Sequence, residues 1–316
     1  MKFEKYHTNE SIVKKNIPTE IKTQIPIFEE LDEDLSEGYC VIGGAAKSLA
    51  FAVLHKNSPI PKIRDVDLAT FGYPEGQTYE YLSEKYSPDD FAHGHGAQEL
   101  VSVEDYMNSR DFSMSQVMYQ NGNLILTKRA IDDIRRGIIR PVEDRYGYFD
   151  TDTNNDISPR LALKAVLQKT VLQEAIPDIK IEKGITCDEF DPDFNNYSAF
   201  QLALCIQKAF EYGEEIPQKF IKEIVASELF NPDVFSIFLD ENEDITPIYE
   251  IMDRISERLK FPFDYRGQAL EHYNNAKFRE SFWKDTNEAQ FDRDMEYLED
   301  MISKQNGTYK GNYRLN

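Results

Sequence analysis

Apolar positions along this chain follow two periods. Up to Asp144 β-like runs alternate with helical stretches, a helix opens at Ser158, and from Tyr197 onward apolar positions recur at helical spacing. Met1 to Asn16 is polar and reads as an arm. After a Pro18-Thr19-Glu20 start, Ile21, Ile25, Ile27, Phe28 and Leu31 predict a helix interrupted or restarted at Pro26, and the acidic run Glu29 to Glu37 ends at Gly38. Cys40-Val41-Ile42 predicts a strand that passes through Gly43-Gly44 into an apolar helix ending at Leu54. Ile63 to Phe71 is a second β-like run. A turn over Gly72 to Gly76, a helix over Gln77 to Tyr86 and a strand over Gln98 to Val103 follow. Asn121-Gly122 turns the chain into Leu124 to Thr127.

Tyr146 to Asn155 is a polar linker, and Ser158-Pro159-Arg160 carries the signature of a helix start, with Ser158 as cap and Pro159 in the first turn. Beyond Tyr197 three helical patterns stand out: Phe200 to Phe210, Phe220 to Leu229, and Ile248 to Leu259. A last acidic helix is expected near Glu288 to Lys304, before a polar tail over Lys310 to Asn316.

A chain of 316 residues, 41% hydrophobic and 12% aromatic, is large enough for a substantial core and is expected to form about two domains. No apolar run approaches the roughly 20 residues of a membrane span, and the polar start lacks the core of a signal peptide. A cytoplasmic setting without membrane contact is the expectation. Cys40, Cys187 and Cys205 lie far apart without metal-ligand spacing, which predicts neither a disulfide framework nor a zinc site. The formal net charge of −21 opposes a polyanionic partner at long range, so the distribution of charge decides whether nucleic acid can bind.

The candidate chemistry is concentrated between Cys40 and Phe71. Two glycines where a strand enters a helix let backbone N–H groups approach a phosphate closely. In the second run, Asp65 and Asp67 are two apart, so strand geometry sends both carboxylates to one face. Paired hard-oxygen ligands suit Mg²⁺, which takes one or two carboxylates and completes its shell with water and nucleotide phosphates. Further along, His93 and His95 have a spacing that a metal can use, but the glycines around them read as a loop.

With these residues in place, the stretch resembles the signature of DNA polymerase β-like nucleotidyltransferases, in the form found in class II CCA-adding enzymes and bacterial poly(A) polymerases. That signature runs as an apolar strand, Gly-Gly-x-Val-Arg-Asp, a helix, and a basic residue before Asp-Ile-Asp-Ile-Ala-Thr. Gly43, Gly44, Asp65, Asp67, Ala69 and Thr70 match it, while Lys47 stands for the arginine and Ser48 for the aspartate. A second block, Arg110-Asp111-Phe112-Ser113, resembles the group's Arg-Arg-Asp-Phe-Thr motif, with Ser109 in place of the first arginine. Ala130 to Val142 resembles the segment that closes the head. The helix after Ser158 resembles the neck helix that carries Glu-Asp-x-x-Arg for base reading, but here Ile157-Ser158 and Leu161 occupy those places.

The resemblance implies an α/β (α+β) head with a mixed sheet, followed by an all-helical body. The expected divisions are an arm over 1–16, a head over 17–144, a linker over 145–157, and neck, body and acidic tail over 158–316. It implies Asp65 and Asp67 as catalytic ligands of Mg²⁺ or Mn²⁺, and Gly43, Gly44, Lys47, Arg110 and Asp111 as nucleotide-binding residues. Glu99 or Glu104 would supply a third carboxylate, and Lys128, Arg129, Arg135, Arg136 and Arg140 would guide RNA. The implied partners are an NTP, ATP or CTP, and RNA, with tRNA the expected acceptor. Two other readings stay open: the same chemistry on a small-molecule or protein acceptor, and a non-catalytic binding or structural protein that keeps the head fold.

Overall fold

The computed structural model describes residues 11–35, 38–55, 58–61, 63, 66–71, 98–100, 102–142 and 156–259. Asp65, the expected turn after Phe71, the helix over Gln77 to Tyr86, His93 and His95, the linker over Tyr146 to Asn155, and the acidic helix and tail after Glu288 lie outside them. The chain divides into two units, one of Met1–Asp188 with Ser227–Leu229, the other of Glu189–Ala226 with Phe230–Asn316.

The first unit is mixed α/β around a six-stranded sheet. Its strands are β1 (Ile12–Asn16), β2 (Tyr39–Ile42), β3 (Asp67–Phe71), β4 (Gln98–Leu100), β5 (Val117–Gln120) and β6 (Asn123–Thr127), in spatial order β1-β6-β5-β2-β3-β4. Every neighbouring pair is antiparallel except β3 with β4, which is parallel, so the sheet is mixed as expected. β1 falls within the stretch that reads as a polar arm. Its ladder with β6 runs from Ile12 opposite Thr127 to Asn16 opposite Asn123, and Lys14 and Lys15 suit an edge position, where charge discourages further pairing.

Helices α1 (Thr19–Gln24) and α2 (Ile27–Asp34) break at Pro26, whose missing N–H cannot continue the first helix. Phe28 and Leu31 of α2 are fully buried, and the Phe28 ring meets Tyr119 of β5 edge-on at 4.9 Å between centroids. Tyr119 also donates its hydroxyl to Asp32, which pairs with Lys22. Helix α3 (Gly43–Leu54) is apolar on nearly all sides and packs against β2, β3 and β5, as an all-round hydrophobic helix must.

A cluster of Cys40, Ile42, Ala69, Met118 and Ile125 with Tyr106 and Met107 fills one side of the sheet. The last two come from α4 (Val103–Asn108), which Ser102 caps by accepting the Asp105 amide at 3.0 Å. Helix α5 (Lys128–Arg136) begins at Thr127, whose hydroxyl accepts the Ala130 amide at 3.0 Å. Helix α6 (Pro159–Leu172) starts as its cap signature predicts, with Ser158 accepting the Leu161 amide at 3.4 Å. A small parallel pair, β7 (Ile138–Ile139) with β8 (Lys180–Ile181), completes the described part of this unit.

The second unit is helical in its described part. α7 (Asn196–Tyr212) packs against α8 (Ile216–Val225) and α9 (Ile248–Leu259). The Phe190 ring meets Phe230 at a tilt, 4.6 Å between centroids, and lies parallel to Phe238 at 6.5 Å. No helix among the described residues is long and apolar enough to cross a membrane.

Candidate functional site

Where β2 passes into α3, the ladder places Ile42 directly opposite Asp67, the first residue of β3. The next residue, Gly43, has φ +65, a left-handed conformation that side chains resist. A Cβ on Gly43 would lie 1.9 Å from Asp67 Oδ2, so the carboxylate occupies the space that any other residue would fill. Gly43 is thus required twice over, by its backbone angle and by its neighbour. The sequence reading expects a phosphate to approach the backbone N–H groups of this turn; what lies against Gly43 is the carboxylate of Asp67.

The Gly43 amide is also engaged, donating to the Tyr106 hydroxyl at 3.3 Å, while that hydroxyl donates to the Val117 carbonyl at 3.3 Å. Tyr106 is 2% exposed. Burial raises its pKa and the Asp67 charge adds to this, whereas Arg110 and the Gly43 amide act in the opposite direction. The Arg110 guanidinium carbon lies over the Tyr106 ring, 4.2 Å from its centroid. Arg110 Nη2 donates to Ser109 Oγ at 2.8 Å, and Ser109 in turn donates to the Tyr106 carbonyl at 2.8 Å. Arg110 is therefore seated on α4 and its cap.

A second group of side chains gathers on α6. Arg160, Lys164 and Gln168 are successive i, i+4 positions and share one stripe. Lys164 Nζ pairs with Asp111 Oδ2 at 2.8 Å, Arg160 Nη1 lies 3.5 Å from Asp111 Oδ1, and Lys47 of α3 donates to Gln168 Oε1 at 3.2 Å. Burial alone would raise the Asp111 pKa, but Lys164 and Arg160 outweigh it and hold the carboxyl below its ordinary range. Among the described residues, Arg110 Nε and Gln168 Nε2 are buried atoms without a hydrogen-bond partner.

Ser113 is not part of this group. It donates to Asp133 Oδ2 at 2.5 Å, and Arg140 grips the same carboxylate with Nε at 3.0 Å and Nη2 at 3.2 Å. Arg140 further pairs with Glu182 at 2.8 Å. Asp133 is 2% exposed, so this is an internal clamp on α5 and the chain after it. The other cations named as RNA guides lie on α5: Lys128, Arg135 and Arg136 are exposed and Arg129 is half-buried, with the exposed Asp132 among them. Glu104 is exposed in the first turn of α4, and Glu99 stands in register with Thr70 on β4. Among the described residues no three His, Cys, Asp or Glu side chains form a metal-binding group.

Two residues of the site escaped the sequence reading. Tyr106 lies four residues before Arg110, a spacing that signals contact only once α4 is known to be helical. Gln168 continues the Arg160 and Lys164 stripe by one more turn.

No family model matches the chain, and no curated protein matches its sequence. Among solved structures the chain is similar to CCA-adding enzymes. One, in an apo form, is 14% identical with a TM-score of 0.45, over 84% of this chain and 73% of that one. A CCA-adding enzyme complexed with ATP is 14% identical with a TM-score of 0.44, over 87% and 79%. The Thermotoga maritima CCA-adding enzyme complexed with tRNA is 13% identical with a TM-score of 0.35, over 87% of this chain and 62% of that one.

Proposed function

We propose that this chain is a metal-dependent, template-independent nucleotidyltransferase that moves a nucleoside monophosphate from ATP or CTP to an RNA 3′ end, with tRNA the expected acceptor. The observation that carries the proposal is the seating of Asp67 against Gly43 at the entry to α3. A half-buried carboxylate held beside a helix N-terminus, with Lys47 one turn along and Arg110 on the neighbouring α4 cap, combines an acidic metal ligand with donors suited to phosphate.

Asp67 offers hard oxygen donors in a partly open position, and this chemistry fits Mg²⁺ or Mn²⁺; Asp65 is its expected companion. When bound, the metal would neutralise triphosphate charge and ease deprotonation of the attacking hydroxyl. The chain's own residues do the rest. Lys47 and Arg110 offset charge on the phosphates, the left-handed Gly43 keeps Asp67 at the mouth of the turn, and the α6 stripe bounds the site on the side of Asp111. The cytoplasm is the proposed setting.

A second acceptor class is favoured by the charge pattern. With a net charge of −21, and Arg160 and Lys164 both drawn to Asp111, a small molecule or protein could replace RNA. One experiment tests all of this. The full chain is incubated with each labelled nucleoside triphosphate, Mg²⁺ or Mn²⁺, and total RNA, and the RNA, protein and small-molecule fractions are separated. Label in RNA that disappears in Asp65→Ala and Asp67→Ala is expected. Label in another fraction moves the acceptor, and full activity in either variant removes the metal assignment.

A further inference from the structure

We infer that Tyr106 is the positioning residue of this site, its hydroxyl setting the Gly43 turn that seats Asp67 and its ring setting Arg110. The assignment rests on the proposed nucleotidyl transfer and goes beyond it, since it places control of the acidic and the basic half of the site in one side chain.

The geometry separates the two tasks. The hydroxyl bridges backbone groups from two segments, accepting from Gly43 N and donating to Val117 O, both at 3.3 Å. Val117 belongs to β5, which is fixed by its ladders to β6 and to β2, so one end of the bridge is a rigid reference. The other end is the residue whose Cα adjoins Asp67. At 2% exposure the phenol is shielded from solvent, so a lost hydroxyl leaves the Gly43 amide and the Val117 carbonyl without a ready substitute. The ring performs the second task. It supports the Arg110 guanidinium at 4.2 Å, and Ser109 binds one of its terminal nitrogens, while Nε has no partner among the described residues. The cation is thus held from its face and one edge, within the electrostatic reach of Asp111.

The test uses the full-length protein with ATP or CTP as substrate and Mn²⁺ as metal, and compares wild type with Tyr106→Phe and Tyr106→Leu. The Phe variant removes only the hydroxyl. It should keep KM for the nucleotide within about twofold, lower kcat by roughly 10- to 100-fold through misplacement of Asp67, and speed residue-resolved amide exchange at Gly43 by about tenfold. The Leu variant should show the same loss of kcat and a further rise in KM of about two- to fivefold, because the cation–π seat of Arg110 is gone.

A Phe variant with unchanged kcat and unchanged Gly43 exchange overturns the assignment alone. So does a Phe variant whose KM rises as much as that of the Leu variant, since the two tasks would then not be separable. A wild-type protein that transfers from no nucleoside triphosphate and binds no Mn²⁺ with ATP overturns the functional reading, and the assignment falls with it. Because exchange at Gly43 is measured without turnover, the two failures are told apart.

Discussion

Replacing Gly43 with alanine tests the contact on which the site is built. Two costs arise at once. A φ of +65 carries a penalty of roughly 1–2 kcal/mol for a residue with a Cβ. The new Cβ would also meet Asp67 Oδ2 at 1.9 Å, about 1.5 Å inside an ordinary contact, and the carboxylate must leave its rotamer at a further cost of about 0.5–1.5 kcal/mol. The expected destabilisation is about 2–3 kcal/mol, or a fall in Tm of roughly 5–10 °C for a unit of this size. Because a displacement of about 1 Å at reacting groups can cost 100-fold, transfer should fall by about that factor even in protein that is fully folded.

Gly184→Ala supplies the control. Its φ is +85, but a Cβ there would have no atom within 4 Å, so it isolates the backbone penalty of roughly 1–2 kcal/mol. Urea titrations of Gly43→Ala, Gly184→Ala, Asp67→Ala and the Gly43→Ala/Asp67→Ala pair close the cycle. The double variant should recover about 1 kcal/mol relative to additivity, since the obstructing carboxylate is gone. If Gly43→Ala costs no more than Gly184→Ala, or Asp67→Ala gives no recovery, the close approach is not real and the site loses its basis.

Three further outcomes follow from the same geometry. The Asp111 carboxyl is held below its ordinary value of 3.8, so its contribution to stability is present above the unfolded pKa and is lost as pH falls through the lower folded one; urea midpoints of Asp111→Asn should lie below wild type at pH 6 and converge with it in acid, and parallel curves would refute the pairing. Burial pushes the Cys40 thiol up to about 12, and Cys187 and Cys205 are buried too, so a thiol reagent at pH 8 should modify all three only after urea unfolding. Asp133→Ala removes the buried partner of Arg140 and should cost about 3 kcal/mol, the lower end for a broken buried pair because Glu182 still holds the arginine, whereas Ser113→Ala should cost about 1 kcal/mol; equal costs measured by urea titration would contradict the clamp.

The strand-to-helix passage at Gly43 was legible because glycine, β-branched residues and an apolar run each report local backbone conformation, and here all three agree. The same holds for the break at Pro26 and the cap at Ser158. β1 was not legible because Lys14 and Lys15 interrupt its apolar pattern, and its pairing with β6 joins residues far apart in sequence. α4 is too short, at six residues, to display a helical period, which hid the stacking of Arg110 on Tyr106. Charge pattern was the least informative signal. Arg140 reads as a cation available to a phosphate, yet its guanidinium closes on Asp133, and Asp111 reads as a nucleotide ligand while Lys164, 53 positions away, holds it.

The partners of Arg140 also bound how strongly RNA can depend on this surface. The exposed cations of α5 are Lys128, Arg135 and Arg136, which with Asp132 form one stripe about 12 Å long. A single strand contributes a slope of about −0.7 per phosphate neutralised when log affinity is plotted against log salt. Three cations therefore supply no more than about −2 of that slope, and the double reversal Arg135→Glu with Arg136→Glu should remove about 1.4 of it. Since both arginines are exposed in the last turn of α5, the reversal also places two acidic residues at the negative end of the helix, a cost of about 1–2 kcal/mol that leaves the protein folded. RNA binding is measured from low to moderate salt for both proteins, with nucleotide binding as the internal reference. A slope that does not change, or an affinity for nucleotide that falls alongside that for RNA, would mean that α5 does not guide the acceptor.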